Sequence, residues 1–368
     1  MLTKGDDFPI HQTSEPIAYS GTDRNFYDRY FFNGYAPAGE GDQDVFFSVA
    51  FGVYPHLNIC DASFCLIRDG VETALHASRH LNMERMDTHA GPIAIEVDAP
   101  LEKLTVRVND TERGVKAEIH FTGRAFPIEE PRFIRRMGPR AFMDYTRLTQ
   151  NGRYSGWIEV DGKRSSVDGF VGTRDRSWGI RSVGARDPQP VVPQQPGQFF
   201  WIWSPCNFKT GSFFFHTNDD GNGLPWNRRA VYSKDGATAE EHFEIEDCSI
   251  DIDWKSGTRH AKSATVDLGK HGKVVFEPQY TFFMMGLGYT HPKWGHGNYQ
   301  GELAVEREDF KIAEADVHQM HHLHIQEIVK ATHHQPDGQL DVGRGVLEQL
   351  VIGPHKPSGF TGMLDFAK

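Results

Sequence analysis

Ile93-Ala94-Ile95-Glu96-Val97 and, six residues further on, Leu104-Thr105-Val106-Arg107-Val108 place an apolar side chain at every second position. A period of two is that of a strand with one face buried, because successive side chains point to opposite sides of a pleated backbone. The pattern spreads outward from this pair. Upstream lie Asp44-Val45-Phe46-Phe47-Ser48-Val49-Ala50-Phe51 and Ser63-Phe64-Cys65-Leu66-Ile67. Downstream follow Gln198–Trp203, Ser212–His216, Ala230–Ser233, Lys273–Phe276 and His322–Ala331. Turn formers such as Arg68-Asp69-Gly70, Asn109-Asp110 and Asp161-Gly162-Lys163 separate the runs at hairpin spacing, which predicts antiparallel pairing. No amphipathic pattern reaches three helical turns. Asp144–Leu148 is the single short helical candidate, and no fixed-period repeat is present.

A chain of 368 residues exceeds what one ordinary core organises, so two units are expected. The boundary falls in Ala185–Gln198, ARDPQPVVPQQPGQ, whose four prolines withhold backbone donors from any central strand. The predicted architecture is all-β: two tandem antiparallel barrels or sandwiches, residues 1–185 and 198–368, joined by a Pro-rich linker at 186–197.

Composition narrows the function. Apolar residues make up 38% and charged residues 24%, and no apolar run is long enough to cross a bilayer, so no membrane insertion is expected. The N-terminal stretch MLTKGDDFPIHQTSEP lacks the basic, apolar and small-residue regions of a secretory signal, which predicts a cytoplasmic protein. Four scattered cysteines, Cys60, Cys65, Cys206 and Cys248, fit burial as small apolar residues in a reduced compartment. A net charge of −11 opposes a phosphate backbone, and the one basic cluster, Arg132–Arg140, is short, so no nucleic-acid partner is expected. The 26 Phe, 11 Tyr and 7 Trp supply ring surface for a small apolar or aromatic substrate. Nucleotide, phosphate and zinc-protease motifs and the serine elbow are missing, and no cofactor is expected.

The densest chemistry is Gly172-Thr173-Arg174-Asp175-Arg176-Ser177-Trp178-Gly179, which follows a hairpin-like Trp157–Val171 and precedes the linker. A carboxylate screened from water holds its proton to higher pH, which would suit Asp175 to general-acid catalysis. Arg174, Arg176 and Arg181 oppose this, since a contacting cation lowers the same pKa. If the segment is extended, alternation sends Arg174 and Arg176 to the side away from Asp175. A corner locked by Asp175 and Trp178, with no chemistry, fits the same residues.

GTRDRSWG, followed after the linker by the aromatic run FFWIWS, resembles the two-domain, AttH-like lipocalin family of carotenoid 1,2-hydratase and kievitone hydratase, with fungal Diels-Alderases as more distant members. The resemblance implies two lipocalin-like barrels with a ligand crevice at or near their interface. It maps the family's proton-donating Asp onto Asp175 and places Arg174 and Trp178 beside the substrate, while Thr173 stands where the hydratases carry a Tyr. The implied activity is that of a cofactor-independent hydratase, dehydratase or isomerase of secondary metabolism, acting on an unsaturated terpenoid, steroid or phenolic. Two other readings stay open: a non-catalytic carrier of a hydrophobic ligand, and a cyclase that works by folding its substrate.

Further candidates lie in the second half. Trp201 and Trp203 share a strand face with Phe199 as an aromatic wall or as core, and His216 is a second acid or base or a strand-end residue. The glycine-rich loop Gly286–Gly301 offers Tyr289 and His291 for ligand contact, or is a plain connection. His322 and His324 fall on one face of a predicted strand near His318 and His321, but no acidic ligand stands at a familiar spacing, and no metal is expected. Tyr54, His56, Asp61, Arg79, His80, His89 and His120 read as structural. The sequence is compatible with a homodimer.

Overall fold

The structure is a computed structural model that describes residues 1–11, 14–39, 45–186, 189 and 197–368. Most of the predicted linker at 186–197 therefore lies outside the described residues. Among the described residues there is no α-helix; strands are interrupted only by short 3-10 turns. The described residues form two antiparallel sheets, of 14 and nine strands, as the period-two runs require. The hairpin tips obey the turn signals: Asp69-Gly70 and Asp161-Gly162 both adopt positive φ at both residues, the twist that suits a two-residue hairpin.

The chain divides into two compact units, one comprising Met1–Ala36, Asp44–Gln194 and Gly286–Lys311, the other the remainder. The division differs from the linear one expected from sequence. Residues 286–311, assigned above to a C-terminal domain at 198–368, belong to the first unit, because Leu303–Lys311 pairs residue for residue with the edge strand Val71–His80. Edge strands carry unpaired donors and acceptors, and this addition satisfies one such row.

In the first sheet, Val71–His80, Ile59–Arg68, Phe46–Tyr54, Phe26–Tyr35, Val171–Arg181, Arg140–Val160 and Val115–Gly123 follow one another as neighbours. Alternate side chains from all of them except Val171–Arg181 converge on one core, including Phe32, Phe47, Phe51, Phe64, Phe121 and Tyr154. Each buried phenylalanine contributes ~2–3 kcal/mol of transfer free energy. Asp144–Leu148, the short helical candidate, is instead part of the long strand Arg140–Val160; paired on both sides, it has no free edge on which a helix could form.

The second unit builds its own core from Phe200, Ile202, Phe213, Phe215, Phe276, Val329 and Leu347. His322 is not in a strand but in the turn Met320–His322, and the strand begins at Ile325, so His322 and His324 do not form the expected strand-face pair.

Candidate functional site

The motif lies in the strand Val171–Arg181, hydrogen-bonded to Phe26–Tyr35 on one side and Arg140–Val160 on the other. Its two glycines are steric. A Cβ on Gly172 would sit 2.0 Å from the backbone oxygen of Asn33, and one on Gly179 would sit 2.3 Å from that of Asp144. Gly179 also has φ 136°, a conformation that side chains resist. Gly179→Ala should cost about 3 kcal/mol, from overpacking and backbone strain together. Urea denaturation measures this, and wild-type stability would mean that the strands can part.

Between the glycines, alternation separates the charges as expected. Arg174 and Arg176 point inward and are fully buried, while Asp175 takes the outer face and is half-buried. Outside, Arg147 donates to both oxygens of Glu130 at 2.9 and 2.6 Å. Burial works against the Arg147 charge, but Glu130, Tyr145 and Asp175 outweigh it and raise the pKa. Arg174, expected beside a substrate, instead bonds Asp7 and the Gln150 side chain in a fully enclosed pair. It has no surface left to offer a ligand.

The inward arginines hold down the N-terminal segment. Arg174 grips the Asp7 carboxylate, which also accepts the Leu101 amide. Arg176 donates to the carbonyls of Asp6 and Phe8, and Arg85 to those of His11 and Ile17. Both guanidiniums converge on buried Asp28, Arg176 at 2.6 Å and Arg85 at 3.6 Å. Burial alone would raise the Asp28 carboxyl, but Arg176, His11 and Arg85 together hold it below its ordinary value of 3.8.

This frame positions His11. Its Nδ1 lies 3.0 Å from Asp28 and its Nε2 3.1 Å from Asp6. The ring stacks on Trp178 with centroids 3.8 Å apart and planes within 9°. Behind Trp178 lie Leu2, Leu101, Leu148 and Phe126. Trp178, His11 and Asp6, with Ile10, Phe26 and Ser20, line an open pocket of about 530 Å³, large enough for a small organic molecule. Its walls combine aromatic faces with an imidazole held between two carboxylates. The inner face of the motif therefore builds a pocket with acid–base groups. His11, Asp28 and Asp6 were not among the residues singled out from the sequence.

Other predicted residues lie elsewhere. Tyr289 and His291 belong to the first unit: the Tyr289 hydroxyl accepts from Arg29 at 2.7 Å, and His291 bonds Glu308 at 2.9 Å. His76, His291 and Glu308 each offer a ligand atom, all within 4.8 Å of one another. The donor set nevertheless does not fit a metal. His291 Nδ1 accepts the amides of Lys293 and Trp294, at 3.1 and 2.8 Å, so its proton sits on Nε2, the nitrogen facing Glu308. The trio ties the Gly286–Gly301 loop to the edge strand.

Trp201, Trp203 and His216 are buried in the second unit, on the face away from its core. Trp201 donates to Glu348 at 2.9 Å, and His216 bonds Asn227 at 3.1 Å. His216 does not end a strand: Gly211–Asp219 continues past it. The same unit buries Glu327, which accepts from Thr281 and is pushed up by burial to about 7, from 4.5. A carboxyl raised on folding favours the native state at low pH and disfavours it as the pH climbs from the unfolded value through the folded one. Glu327→Gln should therefore raise the melting temperature at pH 8 and leave it unchanged at pH 4; equal effects at both would refute the buried-proton account.

No curated protein matches the chain. Among solved structures, the crystal structure of a protein from Nitrosomonas europaea, named only provisionally as an AttH, is similar at 14% identity and a TM-score of 0.51, covering 90% of this chain and 94% of that one. That similarity shows a shared all-β fold. The chain belongs to the family of unknown function DUF8625, whose model matches residues 2–361.

Proposed function

We propose that this protein is a cofactor-independent acid–base enzyme of hydratase, dehydratase or isomerase type, acting on a small unsaturated, largely apolar molecule. The observation that carries this reading is the His11–Asp28 pair stacked on Trp178 in the pocket wall. An anionic Asp28 orients the imidazole, and the ring can pass a proton from Nε2 to an alkene carbon. The resulting cation forms beside the Phe26 ring, which also lines the pocket. Water adds to that cation and returns a proton to His11, which completes hydration; the reverse order is dehydration, and loss of a different proton is isomerisation. The likeness to a protein provisionally named AttH agrees with this class at the level of fold.

Asp175, the donor expected from the resemblance, faces away from this pocket and would serve a ligand on the outer face instead. A carrier without chemistry is the second reading. It is favoured by one observation: both ring nitrogens of His11 are already engaged, as they would be in a purely structural wall.

A panel of terpenoid, steroid and phenolic alkenes and alcohols, screened by quenching of tryptophan fluorescence, tests both. Ligands that bind are incubated with the protein in D2O and followed by mass spectrometry. Deuterium incorporation, or gain or loss of water, is expected; binding with every ligand returned unchanged would leave the carrier reading in its place.

A further inference from the structure

Arg29 lies on the outer face of Phe26–Tyr35 and is 2% exposed. Its hydrogen-bond partner is the Tyr289 hydroxyl, and its Nη2 is buried without an acceptor among the described residues. The guanidinium also lies over the Tyr289 ring, 4.6 Å from its centroid. Half-buried Arg181 shares this wall: it sits over Tyr27 at 4.7 Å and Tyr289 at 5.5 Å, and its side-chain hydrogen bond goes to His296 at 3.4 Å. Neither arginine forms an ion pair among the described residues. The nearby carboxylate, Asp61, accepts the Tyr54 hydroxyl and the Gly297 amide at 3.0 and 2.7 Å and reaches the two arginines only through space.

A buried and a half-buried cation without a contacting acid are costly, because a charge acting only through space repays little of their desolvation. Four other buried arginines of this unit each have a carboxylate: Arg174 has Asp7, Arg176 and Arg85 have Asp28, and Arg147 has Glu130. We propose that Arg29 and Arg181 form a binding site for an external carboxylate, carried by a small acid with an aromatic or unsaturated body. The guanidinium fork suits a carboxylate, and the faces of Tyr27 and Tyr289 suit a flat, unsaturated body. The Tyr289 hydroxyl, 2.7 Å from Arg29, holds the place of an incoming oxygen. The inner pocket at His11 plays no part in this, so the two proposals stand or fall separately.

Calorimetry with benzoate, methyl benzoate and inorganic phosphate on the full chain is the test, with melting temperatures in parallel. Benzoate is expected to bind and stabilise, and methyl benzoate to bind at least tenfold more weakly. Arg29→Met should abolish benzoate binding while keeping or raising the melting temperature of the unliganded protein, since it removes an unpaired buried cation. Arg181→Gln should weaken binding at least tenfold, and His11→Gln should leave it unchanged. Equal binding of ester and acid, benzoate binding that survives in Arg29→Met, or no binding of any of the three, would overturn the proposal. Arginine-dependent binding of phosphate alone would overturn the carboxylate assignment.

Discussion

Asp28→Ala should destabilise the protein by ~3–5 kcal/mol, the range for removing one partner of a buried ion pair. The loss is large because the variant leaves two cations, Arg176 and Arg85, enclosed beside a vacated site. It should also free the N-terminal segment, since His11 loses its buried partner. Adding Arg176→Met in the same chain should recover part of the loss by removing one of the orphaned charges, a coupling that a double-mutant cycle reads directly. Additive losses would show that the pair is not the source of the stability. The same pair sets the acid limit. A carboxyl whose pKa is depressed on folding contributes its stability above the unfolded value and loses it as the pH falls through the folded one. For Asp28 that window opens below its ordinary 3.8. Wild type should therefore lose stability more steeply below that pH than Asp28→Ala does.

His11→Gln should lower turnover of whichever ligand the D2O screen identifies by ~10²–10⁴, the usual contribution of a positioned acid–base group. Glutamine keeps a polar side chain between Asp6 and Asp28, so the melting temperature should stay close to wild type. Asp175→Asn is the comparison: it faces away from the pocket and should turn over the same ligand normally. The reverse result, with Asp175→Asn inactive and His11→Gln active, would move the chemistry to the outer face.

Much of the fold was legible in the sequence because period-two patterning is a local property. Runs such as Ile93–Val97 and Leu104–Val108 declare their buried face within five residues, and Asp69-Gly70 declares its turn within two. Alternation likewise foretold that Arg174 and Arg176 would part from Asp175. The partners of these arginines were not legible. Asp7 meets Arg174 across 167 residues, and a polar N-terminal segment gives no sign that its turn at Lys4–Asp7 will be drawn against the sheet. His11 was invisible for the same reason, since its setting depends on Asp28 and Trp178 in two separate strands. That residues 286–311 join the first unit was hidden by a different cause. Proline content marks where strands cannot run, but it does not tell which sheet a later strand will join.

That late strand has a consequence for how the protein is made. Leu303–Lys311 closes the edge of a sheet whose other strands have all been synthesised by residue 181. For more than a hundred residues of synthesis, the row of donors and acceptors on Val71–His80 waits uncovered, open to a neighbouring nascent chain. Cutting the gene at the proline-rich stretch would make that waiting permanent. A product of residues 1–185 should be a sticky, aggregation-prone species, and supplying residues 286–311 as a separate peptide should rescue its solubility.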